Sequence, residues 1–114
     1  MPAPMARNRW NDEDLDAVAQ DPRPGEVWWC DGRALLLPDG GKVRPVLVTG
    51  VGGGQARVIP LTSQKPEGAP TPVAHRGGTS WLIYREPLSV PVRDLTAPLG
   101  AWRGFAAWRR AARL

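Results

Sequence analysis

The 114-residue chain has one cysteine, one histidine, one tyrosine and one phenylalanine. A lone Cys30 excludes an internal disulfide framework and a cysteine-based zinc site. A lone His75 excludes the paired-histidine spacings of metalloenzymes, so no metal and no cofactor are expected. Cys30 with His75 is the one nucleophile pair the composition permits, but Cys30 follows Val27-Trp28-Trp29 and reads as a small buried apolar residue. No stretch approaches the roughly 18 consecutive apolar residues of a membrane span. The opening Met1 to Arg7 has no hydrophobic signal region before an acidic cluster. A soluble cytoplasmic protein with no membrane partner is the expectation.

Glycine and proline are abundant, with 13 of each, and follow no collagen-like period. That favours short strands and many turns over a helical bundle. A chain this long makes one domain, which buries roughly 65% of its unfolded surface, so dimerisation would be a natural supplement. Charge is segregated: residues 1–21 carry two arginines against five carboxylates, whereas residues 101–114 carry four arginines and no carboxylate. Thirteen of the fifteen cations are arginine. Its planar fork suits phosphate and stacks on bases, which fits an anionic partner such as nucleic acid; a GC-rich genome would give the same bias.

Residues 1–22 read as an N-terminal extension with a partly disordered start and a short acidic helix over Asn11–Gln20, ended by Asp21-Pro22-Arg23-Pro24. Residues 23–114 read as the folded domain. Apolar runs bounded by turn residues predict strands over 26–30, 34–37, 43–49, 56–61, 71–75, 80–83 and 88–92. The glycine run from Gly50 to Gly54 lacks the Lys-Ser/Thr of a phosphate loop and reads as a hairpin turn. Ala101, Phe105, Trp108 and Ala112 then fall on one face of a helix, with most of the arginines elsewhere. The expected architecture is mainly β, a small barrel closed by a C-terminal amphipathic helix.

Three segments carry a recognisable order: Arg23-Pro24-Gly25-Glu26-Val27-Trp28-Trp29, then Gly40-Gly41-Lys42-Val43-Arg44-Pro45-Val46-Leu47-Val48, then Val58-Ile59-Pro60-Leu61-Thr62-Ser63-Gln64. In order and spacing they resemble the MazF/PemK family of toxin endoribonucleases, and Val90 to Gly100 resembles that family's last strand and the lead into its C-terminal helix. The resemblance covers roughly residues 23–112. It implies an SH3-like barrel of MazF/CcdB type, a homodimer and a cognate antitoxin protein. It also implies metal-independent cleavage of single-stranded RNA by attack of the 2′-hydroxyl on the adjacent phosphate. The family's catalytic Arg and Thr fall on Arg44 and Thr62. The sequence departs from the pattern where Asp39 stands at the offset of a common Glu. It departs again at Tyr84 to Ser89, where Pro87 and Pro91 predict an edge or broken strand.

The chemistry can be set beside the resemblance. Arg44 stays protonated and can hold phosphate oxygens through two N–H groups, but it is a poor base. Thr62 exchanges hydrogen bonds without titrating near neutrality. Proton transfer therefore needs another group, and His75, Asp39 and Glu26 are the candidates. Trp28 or Trp29, on opposite faces of a strand, offers a platform for a base, and Trp28 is the expected RNA contact. Lys42, Ser63, Gln64 and Lys65 are further candidate RNA contacts. Beside the ribonuclease stand two other readings: an RNA-binding module on the same barrel without cleavage, and a gyrase-type toxin acting on protein through its C-terminal helix.

Overall fold

The computed structural model describes residues 21–35, 41–82 and 86–113. Seven antiparallel strands form: β1 (Glu26–Cys30), β2 (Arg44–Gly52), β3 (Gln55–Thr62), β4 (Thr71–His75), β5 (Gly78–Leu82), β6 (Leu88–Pro91) and β7 (Leu95–Ala101). One helix, α1 (Phe105–Ala112), follows. Strand order is β4-β5-β3-β2-β1-β7, and β6 lies off this path on β3. The edge of β3 away from β2 is thus divided between β6, which pairs Gln55 to Val58, and β5, which pairs Leu61 and Thr62. The fold is mainly β and barrel-like with a C-terminal helix, as expected.

The central ladder is apolar on both faces. Val46, Leu47 and Val48 of β2 and Val58, Ile59 and Leu61 of β3 are all fully buried. Alternating side chains place all of these but Ile59 in one of two clusters: Trp28, Cys30, Val46, Val48, Val58 and Val90 on one side, and Val27, Leu47, Leu61, Val73 and Leu99 on the other. Phe105 and Trp108 of α1 cover the second cluster together with Trp102. Two covered faces explain why these strands read as unbroken apolar runs rather than as alternation.

The β2–β3 hairpin turns on Gly53 and Gly54, with φ of 61° and 78°. Two consecutive positive φ values at a two-residue turn match the right-handed strand twist and are met by glycine without strain. At the other end of the β system, the Arg76 amide donates to the Leu99 carbonyl at 2.9 Å and joins the β4–β5 hairpin to β7.

The structure departs from the sequence expectation in three places. The run from Ala34 is a 3-10 turn over Gly32–Leu35, not a strand; Leu36 and Leu37 lie outside the described residues. Asp31 Oδ1 accepts from the Arg33 amide at 3.0 Å, and that local bond turns the chain. Strand β7, which periodicity alone did not mark, contains Pro98 and pairs with β1 through two register shifts. The helix begins at Phe105 rather than Ala101, because β7 claims the chain up to Ala101. Residues 1–20, where the acidic helix was expected, lie outside the described residues. The edge character expected from Pro87 and Pro91 agrees with β6, which pairs only β3.

Gly25 ties three elements together. Its amide donates to the Val48 carbonyl and its carbonyl accepts from the Trp102 amide, both at 2.8 Å. Its φ is 93°, and a Cβ there would stand 2.9 Å from Cδ2 of Phe105. Gly25→Ala is therefore expected to cost about 1–2 kcal/mol from backbone handedness alone, and more from displacing Phe105. Gly52→Ala, at an open position without positive φ, serves as the control in thermal melts and is expected to be nearly neutral.

Candidate functional site

The antiparallel register builds a site from residues far apart in sequence. Val46 pairs Pro60 and Leu47 pairs Ile59; continued outward, the register sets Arg44, first in β2, opposite Thr62, last in β3. Beside them the β4–β5 hairpin brings up His75 and Ser80. These elements enclose a groove of about 470 Å³. Its lining includes Arg44, Thr62, Ser63, Gln64, Lys42 and His75, all singled out in the sequence.

Arg44 is half-buried, and its Nη1 donates to the Leu61 carbonyl at 3.1 Å. This anchors the guanidinium against the end of β3. Thr62 Oγ1 accepts from the Gln64 amide at 3.2 Å, which turns the chain after β3 and fixes the hydroxyl at the groove. Lys42 is exposed at the rim. No Asp or Glu lines the groove among the described residues.

Both nitrogens of His75 are engaged. The Gly77 amide donates to Nδ1 at 3.0 Å, and Nε2 lies 2.8 Å from Ser80 Oγ. A backbone N–H can only donate, so Nδ1 is the acceptor and the neutral ring carries its proton on Nε2. Burial lowers the His75 pKa below the ordinary imidazole range. The neutral ring is then the resting form, and its acceptor nitrogen is already taken.

Other sequence candidates sit elsewhere. Trp28 is buried in the first cluster, 6% exposed, with its indole N–H donating to Glu26 Oε1 at 3.0 Å. It is Trp29, half-buried on the opposite face, that lines the groove. Parity with Cys30 carries the signal: free cysteine is among the most buried residue types, so the tryptophan two residues before it shares the core face. The same Glu26 oxygen accepts from the Arg23 amide at 2.9 Å. Glu26 thus satisfies the start of β1 and is not part of the groove lining. Lys65 is exposed and outside the lining, and Asp39 lies outside the described residues. Sequence reasoning missed Ser80, a buried serine with no motif around it.

Cys30 is fully buried in the first cluster, and it does not line the groove that holds His75. Burial first, then the charges of Asp94 and Asp31, push its thiol up to about 12. The Cys30/His75 nucleophile pair is therefore not assembled. Among the described residues no three His, Cys, Asp or Glu side chains gather as a metal site, and no helix is long and apolar enough to cross a membrane.

A second cavity, of about 460 Å³, lies on the other side of the β4–β5 hairpin, and His75 lines both. Arg76, Trp102 and Arg103 contribute to its wall. The chain matches no model of a known protein family, and no curated protein matches it at a significant level.

Two measurements check the placement of these groups. Cys30 should resist iodoacetamide at pH 8 in the folded protein and react at once in denaturant, followed by mass spectrometry. The unfolded chain takes up the His75 proton near pH 6.5 and the folded chain only at lower pH. Below about pH 6.5 the unfolded state therefore binds more protons and stability falls, levelling once pH passes the folded value. Urea melts between pH 7.5 and 5 should show this slope in wild type and a shallower one in His75→Gln.

Proposed function

We propose that the protein is a toxin-type endoribonuclease that cleaves single-stranded RNA without using a metal ion. One observation carries the reading: a guanidinium, a hydroxyl and an imidazole, from Arg44, Thr62 and His75, line a single groove with Lys42 and no lining carboxylate. With no lining carboxylate among the described residues to compete for its cations, such a groove favours a phosphate backbone. Trp29 on the same wall offers a face on which a base can stack.

In the proposed reaction the substrate 2′-oxygen attacks the adjacent phosphorus and the bond to the 5′-oxygen breaks. The products are a 2′,3′-cyclic phosphate and a 5′-hydroxyl. The 2′-hydroxyl loses its proton to a base and the departing 5′-oxygen gains one from an acid. Arg44 opposes the charge that builds on the non-bridging oxygens, a role that needs a permanent cation held in place. Thr62 adds a hydrogen bond from the opposite strand. The resemblance in sequence to MazF/PemK toxins supports the same scheme, and brings with it a homodimer, a cytoplasmic setting and an antitoxin that covers the groove.

A binding module that holds single-stranded RNA without cutting it is the second reading. The engaged nitrogens of His75 favour it, because the described lining then offers no free base near neutrality.

Purified protein incubated with a long single-stranded RNA in EDTA is expected to give discrete fragments with cyclic-phosphate and 5′-hydroxyl ends. Arg44→Ala should reduce the rate about 10²–10³-fold, the usual effect of removing one charge-stabilising donor. Salt-sensitive RNA binding without fragments would instead support the binding module. Neither cutting nor binding would end both readings.

A further inference from the structure

We propose that the Ser80 hydroxyl is an anion-contacting group of the groove and that His75 is the positioning residue that aims it. The inference rests on the reading above that the groove receives a phosphate backbone.

One chain of hydrogen bonds runs from the hairpin turn to Ser80. The Gly77 amide fixes Nδ1 of His75 as an acceptor. The ring proton is therefore on Nε2, and at 2.8 Å it is donated to Ser80 Oγ. One lone pair of that oxygen is thereby filled from the His75 side, and the hydroxyl hydrogen turns away from the ring. Ser80 is 2% exposed, and His75 is the one hydrogen-bond partner of its hydroxyl among the described residues. A buried hydroxyl with its hydrogen unspent requires an acceptor, and the space it borders is the groove that also holds Arg44. A non-bridging phosphate oxygen there would accept from Ser80 while facing the guanidinium.

The hairpin makes this geometry rigid. His75 pairs Gly78 and Val73 pairs Ser80 across a two-residue turn of Arg76 and Gly77. Turn, ring and hydroxyl are thus one bonded unit. Protonating Nδ1 would set an N–H against the Gly77 N–H and break the unit at its first link. The charged side chains lining the two cavities that His75 shares are Lys42 and Arg44 on one side and Arg76 and Arg103 on the other, all cationic. No carboxylate among the described lining residues offsets them, so the intact unit is the form present at neutral pH.

The test uses a ten-nucleotide 2′-deoxy strand, which carries the phosphates but no attacking hydroxyl, with binding followed by fluorescence anisotropy. Ser80→Ala is expected to weaken binding about tenfold, the scale of one hydrogen bond to a charged group. His75→Ala should lose a similar factor, and the double variant should lose no more than either. His75→Gln, whose amide can still donate to Ser80, should recover most of the loss and abolish the decline in affinity expected of wild type once the pH is low enough to protonate the ring. Nitrogen-15 NMR of the wild-type ring needs no variant and should report Nε2–H with Nδ1 unprotonated; the opposite tautomer overturns the proposal. Unchanged binding by Ser80→Ala overturns it, as does a His75→Gln variant no better than His75→Ala. Absence of binding by wild type overturns it together with the RNA reading. Wild type that binds the deoxy strand, loses affinity on Ser80→Ala and yet leaves RNA uncut sinks the nuclease alone and upholds the assignment.

Discussion

Everything else in the molecule depends on the β2–β3 ladder being buried on both faces. Val46, Leu47 and Val48 lie between two apolar clusters that differ in which neighbours supply them. A slip of one residue would exchange the two sets of side chains, and the clusters would no longer fit their covers. Register is therefore strongly specified, and with it the position of Arg44 against Thr62. The site's two central residues are placed by apolar packing several residues away, not by any attraction between them.

Burial then acts on the titratable groups in a consistent sense. The Cys30 thiol is pushed up and the His75 imidazole pulled down, so each rests uncharged at neutral pH. For Cys30 that outcome makes the residue inert packing. For His75 it sets the tautomer through which a backbone amide reaches Ser80. Positive charge at the groove is left to Arg44 and Lys42.

The sequence made the strands legible where both their cause and their signal were local. β1 and β4 fall on the expected bounds because Gly, Pro and Asp punctuate them. β7 escaped periodicity, though not the resemblance, because Pro98 and its pairing irregularities with β1 break the alternation that marks a strand. Ala34 and Leu35 looked extended because they are apolar, but the Asp31 carboxylate competes locally and wins. At the site, Arg44, Thr62, Ser63, Gln64, Lys42 and His75 could be picked out because chemistry and motif coincided in them. Ser80 could not, since the partner of a serine depends on which strands lie next to it, whereas the choice between Trp28 and Trp29 turned on parity with the buried Cys30.

The seam where the β4–β5 hairpin meets the rest of the barrel has a mechanical meaning. That hairpin is held to β3 through Leu61 and Thr62, to β7 through the bond from Arg76 to Leu99, and to the second cluster through Val73 alone among its fully buried side chains. The ladder beneath it is far more extensively paired. Under tension or thermal opening, the hairpin is the part that would detach as a unit while the ladder stays intact. The groove consequently has a fixed jaw, bearing Arg44 and Thr62, and a releasable jaw, bearing His75 and Ser80. How long any occupant stays held between the jaws would then follow the lifetime of that seam as much as the strength of the contacts inside the groove.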